Sequence, residues 1–203
     1  MTKTEAERLE ALWAGDFGND YVDRNIRAYD ERGPFWQSLL EKLAPESVLE
    51  VGSNVGGNLQ WIARVVAPER VTGVDVNQKA LQTLRSRVPG VQTVWSAARD
   101  LPFDNRSFDL VFTMGVLIHQ PDESLPAVMD EMVRVADRYV LCGEYYDEDT
   151  VEVAYRGHEG ALFRRDYGGI FAMRYPELLL VQRGHLGADE GFDDVTWWLF
   201  ERA

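Results

Sequence analysis

The segment Glu50-Val51-Gly52-Ser53-Asn54-Val55-Gly56-Gly57-Asn58 sets an acid two residues ahead of a glycine-rich turn. It follows the short apolar run Ser47–Val51 and precedes a helical pattern, so the glycines fall where a strand turns into a helix and the backbone can approach a ligand closely. Asn54 stands at a position that favours glycine, and asparagine is among the residues that best tolerate a positive φ. Asp75 closes the next strand, where a carboxylate can accept both hydroxyls of a ribose. A tight turn followed by a helix-capping aspartate is the plain structural alternative. Two nucleotide classes share this layout. A dinucleotide asks for Gly-x-Gly-x-x-Gly around its pyrophosphate, whereas the frame here is Gly52-x-Asn54-x-x-Gly57. The charge of Glu50 is a poor neighbour for pyrophosphate and a good one for a ligand that carries a cationic amine.

The elements that position these residues follow from hydrophobic spacing. Residues 4–14 are expected to be a helix, with Leu9, Leu12 and Trp13 on one face. An aromatic and charged stretch covers 15–34, and Pro34 starts a helix over 34–43. Strands are expected at 47–51, 71–76, 91–95, 108–114 and 139–143, and helices at 57–66, 77–87 and 122–136. Strands this continuously apolar, alternating with helices, imply a parallel sheet covered on both faces. The runs Leu178–Gln182 and Val195–Glu201 are separated by a loop, 183–194, too short for a crossover helix. They are expected to pair as an antiparallel hairpin, which leaves the last strand antiparallel in the sheet. Trp197 and Trp198 then point to opposite faces as packing residues, and Cys142 is a buried small hydrophobe.

Composition narrows the partners. The formal net charge is −13, which disfavours nucleic acid and anionic lipid, whose binding depends on Lys and Arg. No apolar run approaches the ~18 residues of a membrane span. The first residues carry acids and no apolar core, so no signal peptide is expected there, and a cytoplasmic setting fits. A single cysteine and three dispersed histidines supply no metal-ligand spacing, and no metal is expected.

Taken together, the residues resemble the class I S-adenosylmethionine-dependent methyltransferases. Val48–Asn58 is similar to their first motif, and Leu101-Pro102-Phe103-Asp104-Asn105-Arg106-Ser107-Phe108-Asp109-Leu110-Val111 to the stretch that leads into their fourth strand. A narrower resemblance, to bacterial methylases associated with pseudaminic acid biosynthesis, rests on Trp13–Tyr21, Gly115–His119, Gly143–Tyr146 and Tyr155–Gly160. The resemblance implies one Rossmann-like α/β domain over 1–203, with a seven-stranded mixed sheet over 34–203 and an N-terminal helical lid segment over 1–33. It implies S-adenosylmethionine as cofactor, with Glu50, Gly52, Asn54 and Gly56 around its amino-acid and ribose end, Asp75 on the ribose and Val76 beside the adenine. Relatives hold the adenine amine with an acid where this chain has Ala97, so backbone, Ser96 or a nearby group is expected to serve here, with Ser96, Ala97 and Ala98 beside the cofactor. Met114 and Gly115 would meet the methionine carboxylate. Tyr21, Arg24 and Asn25 would fold over the cofactor, with the planar fork of Arg24 matching that carboxylate.

Methyl transfer needs alignment of the acceptor and a place for its proton. In a doubly wound sheet the pocket lies beyond the C-terminal strand ends. His119 follows the fourth strand there, and Glu144, Tyr145 and Tyr146 end the fifth. Tyr155, Arg156 and His158 lie in the next loop. His119 and His158 are the candidate bases. Glu144 joins them in the expected catalytic set, and Tyr145, Tyr146, Tyr155 and Arg156 are candidate acceptor contacts. Packing is the alternative role for either histidine, and His185 reads as a surface residue. The acids at 144–152 and 189–194 read either as solvated loop faces or as a field for a cationic acceptor. A small-molecule acceptor, bound by a monomer or homodimer, is the expected partner. A cofactor-binding protein without turnover and, more distantly, a nicotinamide oxidoreductase are the competing functions.

Overall fold

The computed structural model describes residues 4–26 and 29–203; residues 1–3, 27 and 28 of the expected lid segment lie outside them. Helices α1 (Glu5–Ala14), α2 (Asp16–Asn25) and α3 (Gly33–Leu43) precede strand β1 (Val48–Val51). There follow α4 (Leu59–Ile62), β2 (Val71–Asp75), α5 (Gln78–Arg87), β3 (Gln92–Trp95) and β4 (Phe108–Met114). Next come α6 (Leu125–Val135), β5 (Ala136–Glu144), the short pair β6 (Val151–Glu152) and β7 (Phe163–Arg164), and α7 (Tyr167–Arg174). The chain ends in β8 (Leu178–Leu186) and β9 (Val195–Arg202). Seven strands form one sheet in the order β3-β2-β1-β4-β5-β9-β8, with β9 antiparallel to both neighbours. This is the expected mixed, Rossmann-like sheet.

Each strand sends alternate residues to opposite faces. Leu49, Val111, Val140, Trp198 and Phe200 pack with Val128, Met132 and Phe171 of α6 and α7. Val48, Leu110, Leu141, Trp197 and Leu199 pack with Trp36, Leu40, Ile62 and Leu84 of α3, α4 and α5. The two adjacent tryptophans therefore serve opposite layers. Cys142 is buried in the first of them.

Several elements depart from the expected bounds. The helix expected over 57–66 has regular α geometry only at Leu59–Ile62. Its last turn tightens through bonds from Arg64 to Trp61 and from Val65 to Ile62 ahead of Pro68. The hairpin strand expected to stop at Gln182 runs on to Leu186. Helix α7 was not expected, because Gly168 and Gly169 sit in its first turn. A Cβ at Gly168 would lie 2.2 Å from the Trp198 indole, so packing excludes a side chain there.

The N-terminal helices have defined phases. Thr4 and Glu7 form a reciprocal capping box that starts α1. Ala6, Leu9, Glu10 and Trp13, at helical spacing, then share the face that looks onto the C-terminal strand ends. Asn77, after β2, donates to the Trp13 carbonyl and to Asn19, tying α1 and α2 to the sheet.

Candidate active site

A cavity lies beyond the C-terminal ends of β1, β2 and β4, roofed by α1 and α2. Its floor is the turn after β1. Gly52 has φ +79 and Asn54 φ +46, so asparagine does hold the left-handed position that its type allows. Glu50 ends up buried beneath this turn. Its Oε1 accepts a 2.6 Å bond from Asn58 Nδ2, and its Oε2 has no partner among the described residues. Burial pushes the Glu50 carboxyl up to about 8, against a smaller opposing effect of the Asn58 bond.

Asn58 is the hub of this end. Its Oδ1 accepts from Trp36 Nε1 at 3.1 Å and from Arg32 Nη1 at 3.0 Å. Arg32 also donates to the Gly191 carbonyl, and its guanidinium lies between the rings of Tyr29 and Phe192, 3.9 and 4.2 Å from their centroids. At the opposite end of the turn, Asp75 Oδ2 accepts from the Asn54 amide and Oδ1 from the Asn77 amide, each at 2.8 Å. A carboxylate has about four acceptor sites, so each oxygen keeps capacity for a ligand hydroxyl.

His119 faces this floor from the turn after β4. Its Nδ1 lies 2.6 Å from the Ala161 carbonyl oxygen. A carbonyl only accepts, so Nδ1 carries the proton and Nε2 keeps the lone pair. Burial holds the ring neutral, pushing its pKa down to about 4. The Trp13 and Tyr155 rings pack against it at 4.6 and 5.2 Å.

Tyr21, Glu50, Gly52, Asn54, Asp75, Val76, Ser96, Ala98, Met114, Gly115 and His119 all line the cavity, so the structure brings these candidates together. Others lie elsewhere. Arg24 is exposed on the outer side of α2, near the Tyr21 ring, and at the amino-acid end of the cavity the described guanidinium is that of Arg32. Asn25 bonds back to the Tyr21 carbonyl. Gly56 packs against Leu84, 2.3 Å from where its Cβ would sit, and neither it nor Ala97 lines the cavity.

Glu144 is fully buried and turned away from the cavity. Its oxygens accept from the backbone amides of Val116 and Ile118, clamping the turn that carries His119. Burial raises this carboxyl to about 7. The expectation that it joins the catalytic set at the acceptor is corrected on this geometry: its carboxylate is bonded to the backbone behind the cavity wall. His158 is also outside the cavity and meets the Phe17 ring edge-on at 4.9 Å. Tyr146 packs under Arg183 and beside Trp198, and Arg156 is exposed. Arg165 is buried and bonded to Asp122 and the Gln120 carbonyl. Tyr145 lines a second hollow with Arg164, Phe192, Asp193 and Asp194. His185 lies on the surface, 2.8 Å from Asp194.

Trp13, Tyr29, Arg32 and Asn58 were not expected in the site. Arg32 did carry a signal, since it is a cation at the N-terminus of α3, where the helix dipole disfavours positive charge. Among the described residues, no group of acids, histidines and cysteine can hold a metal, and no helix is long and apolar enough to cross a membrane.

Residues 48–138 match the family model described as a methyltransferase domain. The phthiotriol/phenolphthiotriol dimycocerosates methyltransferase of Mycobacterium leprae is 34% identical over 95 residues, which cover 46% of this chain and 34% of that protein. The fatty-acid O-methyltransferase of Mycolicibacterium smegmatis is 38% identical over 69 residues, 33% of this chain and 25% of that one. The chain thus spans about a third or less of the length of these curated relatives. Among solved structures, the 1,6-didemethyltoxoflavin-N1-methyltransferase of Burkholderia thailandensis, with bound 1,6-didemethyltoxoflavin and S-adenosylhomocysteine, aligns with a TM-score of 0.77 at 16% identity. That alignment covers 100% of this chain and 92% of that one. The magnesium protoporphyrin IX methyltransferase of Synechocystis PCC 6803, with bound S-adenosylmethionine, aligns with a TM-score of 0.70 at 15% identity, over 100% and 99% of the two chains. The fold is that of the class I methyltransferases.

Proposed function

We propose that this chain transfers a methyl group from S-adenosylmethionine to a nitrogen or oxygen of a small polar metabolite, as a cytoplasmic enzyme of a biosynthetic route. The observation that carries the reading is the polarity of the cavity. An unpartnered, buried Glu50 oxygen beside Arg32 stands at one end, and the doubly anchored Asp75 at the other. An amino acid joined to a nucleoside asks for this order of groups: an acceptor for its amine, a cation for its carboxylate and a carboxylate for its ribose. Pyrophosphate would meet Glu50 instead. The matched methyltransferase domain contains the turn, Asp75 and His119.

When bound, the cofactor supplies a methyl group already activated on a sulfonium. The chain's residues do the rest. Glu50 accepts the ligand's amine, Arg32 takes its carboxylate, and Asp75 holds its ribose, with Val76, Ser96 and Ala98 beside the base. His119 presents Nε2 as the base for the acceptor's proton, and Glu144 fixes the turn that carries it. Alignment supplies much of the rate, up to ~7–11 kcal/mol in the best intramolecular cases.

The acceptor reading rests on the second hollow, where Asp193 makes no hydrogen bond or ion pair among the described residues and its charge acts on Tyr145 and, beyond the hollow, on Tyr29 and Arg32. This supports an amino or guanidino acceptor over a sugar-type one. Incubation of the protein and S-adenosylmethionine with panels of amines, guanidines, sugars and hydroxy acids, assayed for S-adenosylhomocysteine, tests it. Turnover confined to cationic acceptors is expected. Turnover confined to sugars overturns the acceptor class, and cofactor binding without turnover on any acceptor points to a non-catalytic role.

A further inference from the structure

Among the described residues three carboxylates line the cavity, and two of them are accounted for: Glu50 at the amino-acid end and Asp75 at the ribose. The third, Glu10 of α1, faces the remaining end, where Val76, Ser96, Ala98 and Arg99 stand. Arg99 holds it with a fork of two bonds, Nε to Oε1 at 2.6 Å and Nη2 to Oε2 at 3.1 Å. Each Glu10 oxygen uses one acceptor site on Arg99 and keeps another. The Ser96 hydroxyl at this end is donated to the Asp100 carbonyl at 2.6 Å. The end of the cavity left for a base therefore has one side chain that is a strong, oriented acceptor, and it comes from the roof rather than from the sheet.

We propose that Glu10, oriented by Arg99, reads the exocyclic amine of the adenine base and so sets the cofactor's base specificity. The inference rests on the cofactor reading above. A carboxylate accepts from a 6-amino group and repels a 6-oxo group, whereas a glutamine amide can turn to donate to the 6-oxo group. Because Glu10 belongs to α1, base recognition and seating of the roof are one event. The Asn77 bond to the Trp13 carbonyl holds the same helix one turn further on.

The experiment is calorimetric titration of the full chain with S-adenosylhomocysteine and with its hypoxanthine counterpart, S-inosylhomocysteine. Wild-type protein is expected to bind the adenine compound about tenfold or more tightly, as for a hydrogen bond to a charged group. Glu10→Gln should bring the two affinities to within about twofold, or reverse their order, while the fold holds by circular dichroism. The affinity ratio is internal to each protein, so a general loosening of the roof does not mimic the result. Should Glu10→Gln fail to fold, Arg99→Gln carries the test, because a carboxylate without its fork loses orientation and the ratio should fall. An unchanged ratio in a folded variant overturns the proposal. Wild-type protein that binds neither compound overturns the cofactor reading itself and the proposal with it.

Discussion

Asn58 donates through Nδ2 to Glu50 at 2.6 Å while its Oδ1 receives both Trp36 and Arg32. One amide thus fixes a buried acid and an interior cation on opposite sides of itself. The acid keeps one oxygen unspent, and the cation is held by stacking as much as by hydrogen bonds. Leaving a buried carboxylate oxygen without a donor costs about 1–3 kcal/mol or more, a cost that a ligand amine removes. Glu50→Gln should therefore weaken S-adenosylhomocysteine binding at least about tenfold, the equivalent of ~1.4 kcal/mol. Titration calorimetry checks it, and an unchanged dissociation constant contradicts the assignment.

The same acid predicts a proton. Free Glu50 titrates at about 8, so it is largely protonated at pH 7. A ligand amine is already a cation at that pH and binds the ionised form. Binding at pH 7 should release close to one proton, and affinity should rise between pH 6 and 8. Calorimetry in buffers of different ionisation enthalpy measures the release, which Glu50→Gln should abolish.

Two guanidinium groups separate in their effects. Arg32→Ala should reduce cofactor affinity and destabilise the fold, since it also removes the bonds to Asn58 and Gly191. Arg24→Ala should leave affinity within about twofold, because an exposed surface side chain contributes within ±0.5 kcal/mol. Equal losses in the two variants would reverse the assignment of Arg32.

The His119 imidazole is neutral throughout the physiological range. Its pKa of about 4 predicts no acid limb in kcat/KM from this group above about pH 5. His119→Ala should lower kcat by the ~10²–10⁴-fold typical of general-base loss, with cofactor affinity kept. His158→Ala should leave kcat unchanged. Wild-type turnover in His119→Ala would assign catalysis to alignment alone.

Burial raises Glu50 and Glu144 in the folded state, to about 8 and about 7, from an ordinary value near 4.5. Their contribution to stability is fully present below about 4.5 and is lost as pH rises through 7 and 8. The ligand-free protein should unfold at lower urea at pH 8 than at pH 5. The difference should shrink in Glu144→Gln, which keeps one acceptor for the turn amides. The pH dependence of the urea midpoint reads both effects.

The sheet was legible because its strands are short, apolar and punctuated by glycines, and the hairpin because loop 183–194 leaves no room for a crossover. Helix α7 was not legible, because Gly168 answers to the Trp198 indole, a contact distant in sequence. The floor of the site was readable from local chemistry: Glu50, Gly52, Asn54 and Asp75 lie on one turn and the strand beside it. The roof was not. Arg24 and Arg32 are both plausible from composition, and only the packing of Arg32 between Tyr29 and Phe192 separates them. Glu144 and His119 were read as partners in chemistry. The backbone amides of Val116 and Ile118 instead place the acid behind the base, which no residue spacing reveals.

The most direct measurement is the thermal midpoint of the protein alone, with S-adenosylhomocysteine and with NAD. A ligand at ~100 times its dissociation constant adds about 2.7 kcal/mol to stability, enough to move the midpoint by several degrees. The account predicts a shift with S-adenosylhomocysteine and none with NAD. A shift with NAD alone would contradict it, because a pyrophosphate would then be seated beside the buried Glu50.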